Sequence, residues 1–266
     1  DLGIQGAAIA TVAGQIIAFG VALVLNARFN KDIKLSFKGF KPSAKIIGRI
    51  YAIGVPSIIM ASIGSVMNVL FNSILNSFAE PIGKYAQNAF GAYFKLQSFF
   101  FMPLFGINNA AISILAFNYG ARQPKRITKT LKLAVGTAFS VLVLGLIVFQ
   151  LFPDALLGLF APTEDFLLIG RSALRIVSIH FPMAAIGIAL GASFQALGNG
   201  IYATITSICR QLVVLLPAAY LLSLTGNVNM VWLAYPIAEV ASGLATAYFF
   251  LRIYRQKVKP LFQTNP

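Results

Sequence analysis

Arg210 and Glu239 each lie about nine residues, or ~14 Å of helix rise, inside an apolar stretch of the chain. A charge at that depth is costly unless it is paired or faces water. The two stretches are consecutive, so antiparallel helices entering from opposite sides would bring the side chains together near mid-depth. Two roles remain open: a pair that neutralises both charges, and a carboxylate that binds and releases a proton. A second pattern is Asn68, Asn72 and Asn76 at i, i+4 and i+8, with Ser65 on the same side. Four-residue steps keep the three amides on one slowly drifting face. That stripe reads as interhelical hydrogen-bond glue or as the polar floor of a cavity, and both readings turn it inward. Asn supplies donor and acceptor without a charge's desolvation cost, which suits a site for amphipathic molecules.

Further polar groups stand inside other apolar stretches. Gln97, Ser178 and His180 are assigned to the same cavity, with His180 open to either a proton-shuttling or a structural role. Of the run Phe99, Phe100 and Phe101, helical spacing admits only part to an inward wall, and Phe100 is assigned to it. Lys95, Arg171 and Arg175 lie close enough to helix ends to reach headgroups. Enzyme chemistry finds no foothold, because there is no His-Glu-x-x-His, no carboxylate pair within a stretch, and Gly198-Asn199-Gly200 is too short for a phosphate loop. The single cysteine, Cys209, has no partner for a disulfide or a thiolate cluster, so neither metal nor cofactor is expected.

The elements that carry these residues follow from composition. Of 266 residues 58% are hydrophobic and 11% charged, against roughly 45–50% and ~25% in soluble domains, which excludes a water-soluble fold. Stretches matching the ~20 residues needed to cross a bilayer run from Ile4 to Leu25, Ile50 to Phe78, Asn88 to Phe117, Leu131 to Phe152, Phe166 to Leu197, Ile201 to Leu224 and Met230 to Ile253. They lack two-residue alternation, so the expected class is an all-α, polytopic membrane protein with seven transmembrane helices. Pro56, Pro103, Pro182, Pro217 and Pro236 fall inside five of them and predict kinks.

The net charge of +14 sorts by connection. After spans 1, 3 and 7 stand sixteen basic residues, among them Lys38, Arg122, Lys125, Arg126 and Lys257, against Asp32 alone. The alternate connections hold Glu80, Asp154, Glu164 and Asp165 with Lys84. The positive-inside rule makes the basic side, with the carboxy terminus, cytoplasmic. The charge is thus topological, facing membrane lipid and cytoplasm rather than nucleic acid. The basic segment 26–49 reads as a linker between span 1 in residues 1–25 and a six-helix lobe in residues 50–266. Aligning Ala10 with Ala234 also sets Gln15 on Glu239, an echo that points to an internally repeated transporter.

Taken together, Gly3-Ile4-Gln5-Gly6-Ala7-Ala8-Ile9-Ala10-Thr11, Phe117-Asn118-Tyr119-Gly120-Ala121-Arg122, Phe194-Gln195-Ala196-Leu197-Gly198, Arg210-Gln211 and Val231-Trp232-Leu233-Ala234-Tyr235-Pro236-Ile237-Ala238-Glu239 resemble the multidrug and toxic compound extrusion (MATE) family. The resemblance implies helices 6 to 12 of a twelve-helix antiporter with two six-helix lobes around a central cavity, span 1 being the last helix of an amino-terminal lobe that this numbering does not contain. It implies export of amphipathic, often cationic drugs in exchange for H+ or Na+ across a bacterial inner or plasma membrane. One branch of the family carries acidic cation ligands on the equivalents of spans 2 and 5. Here Gly64 stands at the first such position and no acid occurs between Phe166 and Gly198, so the coupling carboxylate is expected in the other lobe. A flippase of lipid-linked saccharides, from the same superfamily, and a membrane scaffold without transport are the alternatives.

Overall fold

The computed structural model describes residues 3–29, 41–160 and 163–264. Residues 30–40, which hold most of the expected linker with Lys31, Asp32, Lys34 and Lys38, lie outside the described residues, as do the side chains at 52–57, Pro56 among them. The chain divides into two units, Asp1–Ala52 and Ile53–Pro266. Among the described residues two helices begin in the first unit: α1 (Gly3–Phe29) and α2 (Ala44–Asn76). Along α1 the exposed side chains include Ile9, Ile16, Phe19 and Leu25. A helix apolar on every side is built for lipid or for the interior of a bundle.

The second unit is a bundle. α3 (Ile82–Gly120) packs on α4 (Pro124–Leu151), and both pack on α7 (Phe181–Ala196). A short α5 (Pro153–Gly158) leads into α6 (Glu164–Ser178), whose first turn Thr163 caps by accepting from the Phe166 amide. α6 and α7 are bent by 46° at Ile179 and His180. Next come α8 (Gly200–Ile208), a π-helical segment at Cys209–Leu215 and α9 (Leu216–Ser223), then α10 (Val228–Val231) and α11 (Ala234–Ile253). A second π segment, Tyr254–Val258, joins α11 to α12 (Lys259–Thr264). The described secondary structure is entirely helical, and the class is an all-α polytopic membrane protein. Five helical runs among the described residues are long and apolar enough to span a bilayer, six with the bent α6–α7 pair counted as one. The count of seven is not reached there; the remaining stretch corresponds to α2.

The prolines explain the breaks. Pro182, Pro217 and Pro236 each sit within the first turn after an irregularity: the α6–α7 bend, the π segment and the Trp232–Leu233 turn. A proline lacks the amide that would bond the carbonyl one turn back, and its ring crowds that carbonyl, so the preceding turn opens. Pro103 lies within an uninterrupted helix, α3.

Two apolar clusters hold the bundle. One gathers Phe71, Phe90, Tyr93, Phe149, Phe181 and Trp232; the other gathers Ala111, Leu115, Ile127, Phe194 and Ile253. Phe71 stacks on Phe90 with centroids 4.6 Å apart, and Tyr93 meets Phe149 edge-on at 6.3 Å, geometries that add to the burial of large rings. Along α7 the clusters change over between Ala189 and Ala192.

Candidate functional site

A cavity of about 670 Å³ opens within the bundle. Each helix that lines it contributes one face, and the spacing is helical throughout. α3 supplies Tyr93, Gln97, Phe101, Phe105 and Asn108; the α6–α7 bend and α7 supply His180, Gly187, Gly191 and Gln195; α11 supplies Tyr235, Glu239, Ser242 and Thr246. Steps of three, four and seven residues keep each set on one side of its helix. The π segment adds Arg210 and Gln211. Single-turn π geometry in a helix is frequent at functional sites, because the wider turn re-aims side chains.

Arg210 and Glu239 meet here. Arg210 Nη1 donates to Glu239 Oε2 at 3.4 Å, with the carboxylate side chain 6% exposed and the guanidinium 28%. The contact is single and long where a bidentate pair would be short and double. His180 is buried, and its Nδ1 donates to the Val177 carbonyl. Because a carbonyl only accepts, that bond leaves Nε2 without the proton in the neutral ring. Tyr235 hydroxyl reaches Met67 Sδ at 3.9 Å. The Tyr93 hydroxyl and Asn108 Oδ1 are buried with no hydrogen-bond partner among the described residues.

The expected site residues fall into three groups. Gln97, His180, Arg210 and Glu239 line the cavity. Phe100 and Ser178 do not. Phe100 turns into α4, 6.0 Å from the Phe149 ring, and lies where a side chain on Gly145 would stand, 3.0 Å from the position of its absent Cβ; Phe101, one residue on, takes the wall. Ser178 is buried in a clasp between α4 and α6, accepting from Gln150 Nε2 at 3.1 Å and donating to the Arg175 carbonyl. The asparagine stripe is displaced as well. Met67 faces the cavity while Phe71 and Leu75 enter the core. Asn68, Asn72 and Asn76 follow each of these by one residue, ~100° around the helix. They line a separate, shallow groove with Ser73 and Gln87. There Asn72 Nδ2 donates to the Asn68 carbonyl at 2.9 Å, and Gln87 Nε2 donates to the Asn72 carbonyl at 3.1 Å.

The cations near helix ends also find partners. Arg171 grips both oxygens of Asp154, at 2.8 and 3.0 Å. Lys95 Nζ lies 5.7 Å from the Phe160 ring centroid. The residues that sequence reasoning passed over, Tyr93, Asn108, Gln195 and Tyr235, share helical faces with residues that it singled out. That periodicity was the available signal.

Known proteins place this architecture. Curated relatives include the multidrug export protein MepA of Staphylococcus aureus strain MSSA476, 24% identical over 248 residues, and its counterpart in Staphylococcus haemolyticus, 24% identical over 231 residues. The alignments cover 92% and 87% of this chain but 53% and 50% of those proteins, so the chain spans about half the length of the curated relatives it matches. Among solved structures, an outward-facing multidrug resistance MATE family transporter of the MOP superfamily superimposes with a TM-score of 0.82 at 22% identity. It covers 98% of this chain and 57% of that one. An inward-facing structure superimposes at 0.78 and 22% identity, over 100% of this chain and 60% of that one. A MOP superfamily transporter from Pyrococcus furiosus gives 0.79 at 23%, over 98% and 58%. The family model described as MatE matches residues 56–221, and on that match the chain belongs to the MatE family.

Proposed function

We propose that this chain forms the carboxy-terminal six-helix lobe, with the helix that precedes it, of an ion-coupled antiporter. The antiporter exports amphipathic organic compounds, cations among them, by alternating access. The observation that carries this reading is the cavity at mid-bundle, whose aromatic walls, amides and partly buried ion pair combine apolar contact with a few orienting polar groups. Two likenesses support it. The relatives bear the name multidrug export protein, and the same chain overlays both an outward-facing and an inward-facing transporter, as a lobe that moves largely as a body would.

H+ or Na+ drives the exchange. Gly64 and the acid-free segment from Phe166 to Gly198 leave spans 2 and 5 without a coupling acid, so we assign the coupling carboxylate to the amino-terminal lobe of the same transporter. The protein resides in the cell membrane with its carboxy terminus in the cytoplasm. The asparagine groove faces the cleft between lobes, where its amides meet water or the partner lobe. Vesicles carrying this chain with that lobe test the reading. A fluorescent amphipathic cation should move against its gradient when a proton or sodium gradient is imposed, and Gly191→Leu, which projects into open cavity space, should slow it. Movement indifferent to both gradients would remove ion coupling; full transport with the cavity filled would remove the cavity as the site.

A further inference from the structure

We propose that the basic end of the second unit carries a site for an anionic phospholipid, its phosphate held at Arg122 and an acyl chain laid along Tyr119, Pro260 and Leu261. The site is separate from the mid-bundle cavity and does not depend on what that cavity binds.

The level in the bilayer comes first. From Leu133 to Leu151 α4 carries no charged residue, a run of about 19 residues and ~28 Å, which matches the thickness of the hydrocarbon layer. The two turns before it, from Lys125 to Lys132, therefore stand at the level of the headgroups. There Pro124, Ile127 and Leu131 are buried, whereas Lys125, Arg126, Lys129 and Lys132 are exposed on the opposite face. The segment at the end of α11 repeats the pattern: Ile253 and Val258 are buried, and Arg252, Arg255 and Lys259 are exposed. Both buried faces belong to one apolar cluster, which holds Ile127, Leu131, Ile253 and Val258 and against which Tyr119 and Leu261 pack. The two cationic faces thus belong to the same end of the bundle.

At this end an open groove of about 450 Å³ is lined by Tyr119, Gly120, Arg122, Pro260 and Leu261. Arg122 is the charged member of that lining, and with φ of 50° it is, among the described residues, the one non-glycine in the left-handed region. Glycine would occupy that backbone without strain, so an arginine there is placed for its side chain.

Charge selects the headgroup. No Asp or Glu stands in residues 117–132, 194–205 or 249–264, the segments that meet in this cluster. A zwitterionic headgroup would bring its cationic group among lysines and arginines with no carboxylate to receive it, whereas an anionic headgroup brings only negative charge. Each Lys or Arg near a membrane surface strengthens the attraction to anionic lipid, and a guanidinium can hold two phosphate oxygens at once. Tyr119, Pro260 and Leu261 give the groove an apolar wall that an acyl chain covers and a free phosphate does not, so the lipid is the occupant.

Native mass spectrometry of the full chain, released from detergent micelles containing phosphatidylglycerol or phosphatidylcholine with matched acyl chains, tests the site. Phosphatidylglycerol should bind roughly tenfold more tightly than phosphatidylcholine, and an excess of glycerophosphoglycerol, the same headgroup without acyl chains, should not displace it. Arg122→Gly should weaken phosphatidylglycerol binding about fivefold, with a melting temperature in the absence of lipid that is unchanged or higher, because glycine relieves the left-handed backbone. Pro260→Glu, at an exposed position on the groove, should weaken binding as well by setting a carboxylate against the phosphate, and it decides the matter should Arg122→Gly fail to fold. Lys84→Gln, which removes one exposed cation at the opposite end of α3, should leave the preference intact. Equal binding of the two lipids overturns the proposal. An undiminished preference in Arg122→Gly also overturns it, the attraction then being to the basic surface at large, and displacement by glycerophosphoglycerol overturns the lipid as occupant in favour of soluble phosphates.

Discussion

The Arg210–Glu239 pair concentrates the residue-scale physics. Removing one partner leaves the other charged in the bundle, so Arg210→Met or Glu239→Gln should each destabilise the chain by roughly 2 kcal/mol, less than for a fully buried pair because the guanidinium is partly exposed. The double variant should recover part of the loss, read as a melting temperature above the additive value; strict additivity would mean that the two groups do not interact in the membrane. The asparagine stripe makes a different prediction. Its amides line an open groove rather than the cavity, so Asn72→Leu should leave probe affinity in the isolated chain unchanged while altering transport when the other lobe is present. A loss of cavity affinity on that substitution would place the stripe back at the cavity. Much of the site was legible at this scale, since an Arg and a Glu deep within consecutive spans, Gln97 and His180 stand out chemically against apolar surroundings. What sequence left ambiguous was azimuth: Asn68 and Met67 are neighbours in the chain, and only the packing of Phe71, one turn on, against Trp232 and Tyr235 decides which of their faces turns inward.

Helices carry their irregularities where the cavity is. The α6–α7 bend presents His180, the π segment presents Arg210 and Gln211, and the Trp232–Leu233 turn precedes the α11 face bearing Tyr235 and Glu239. Prolines marked these places in advance, but a proline announces a break without stating its form, and nothing in Cys209–Leu215 itself specifies a π turn. A second device lies at the other end of α11. Lys257 Nζ donates to the Leu197 carbonyl and to Asn199 Oδ1, closing the exposed end of α7 from the second π segment. Lys257→Met removes the charge-assisted bonds to the Leu197 carbonyl and the Asn199 side chain, so the melting temperature should fall by a few degrees, corresponding to about 1 kcal/mol, with an unchanged value arguing that the contact is incidental.

For the whole molecule, charge distribution sets the orientation. α4 has 28 residues, ~42 Å of rise, which is enough to place Lys125 at its start and Asp154 just beyond its end on opposite membrane faces. A cysteine introduced beside Lys125 should resist an impermeant thiol reagent applied outside intact cells, and one beside Asp154 should react; labelling of both would overturn the assignment of sides. The helical class and the positions of most elements were readable from hydropathy because lipid demands long apolar runs, whereas splitting of spans into α6 with α7, or α8 with α9, depends on local backbone that hydropathy averages away. The sequence separation within the ion pair bears on how such a chain is made. Arg210 precedes Glu239 by 29 residues, so during synthesis the helix bearing the cation emerges before its counter-charge exists. A lone arginine at the centre of a span costs about 2.5–3.5 kcal/mol at the insertion step. The segment Gly200–Ser223 therefore enters the bilayer at lower cost paired with α11 as a hairpin than it does alone.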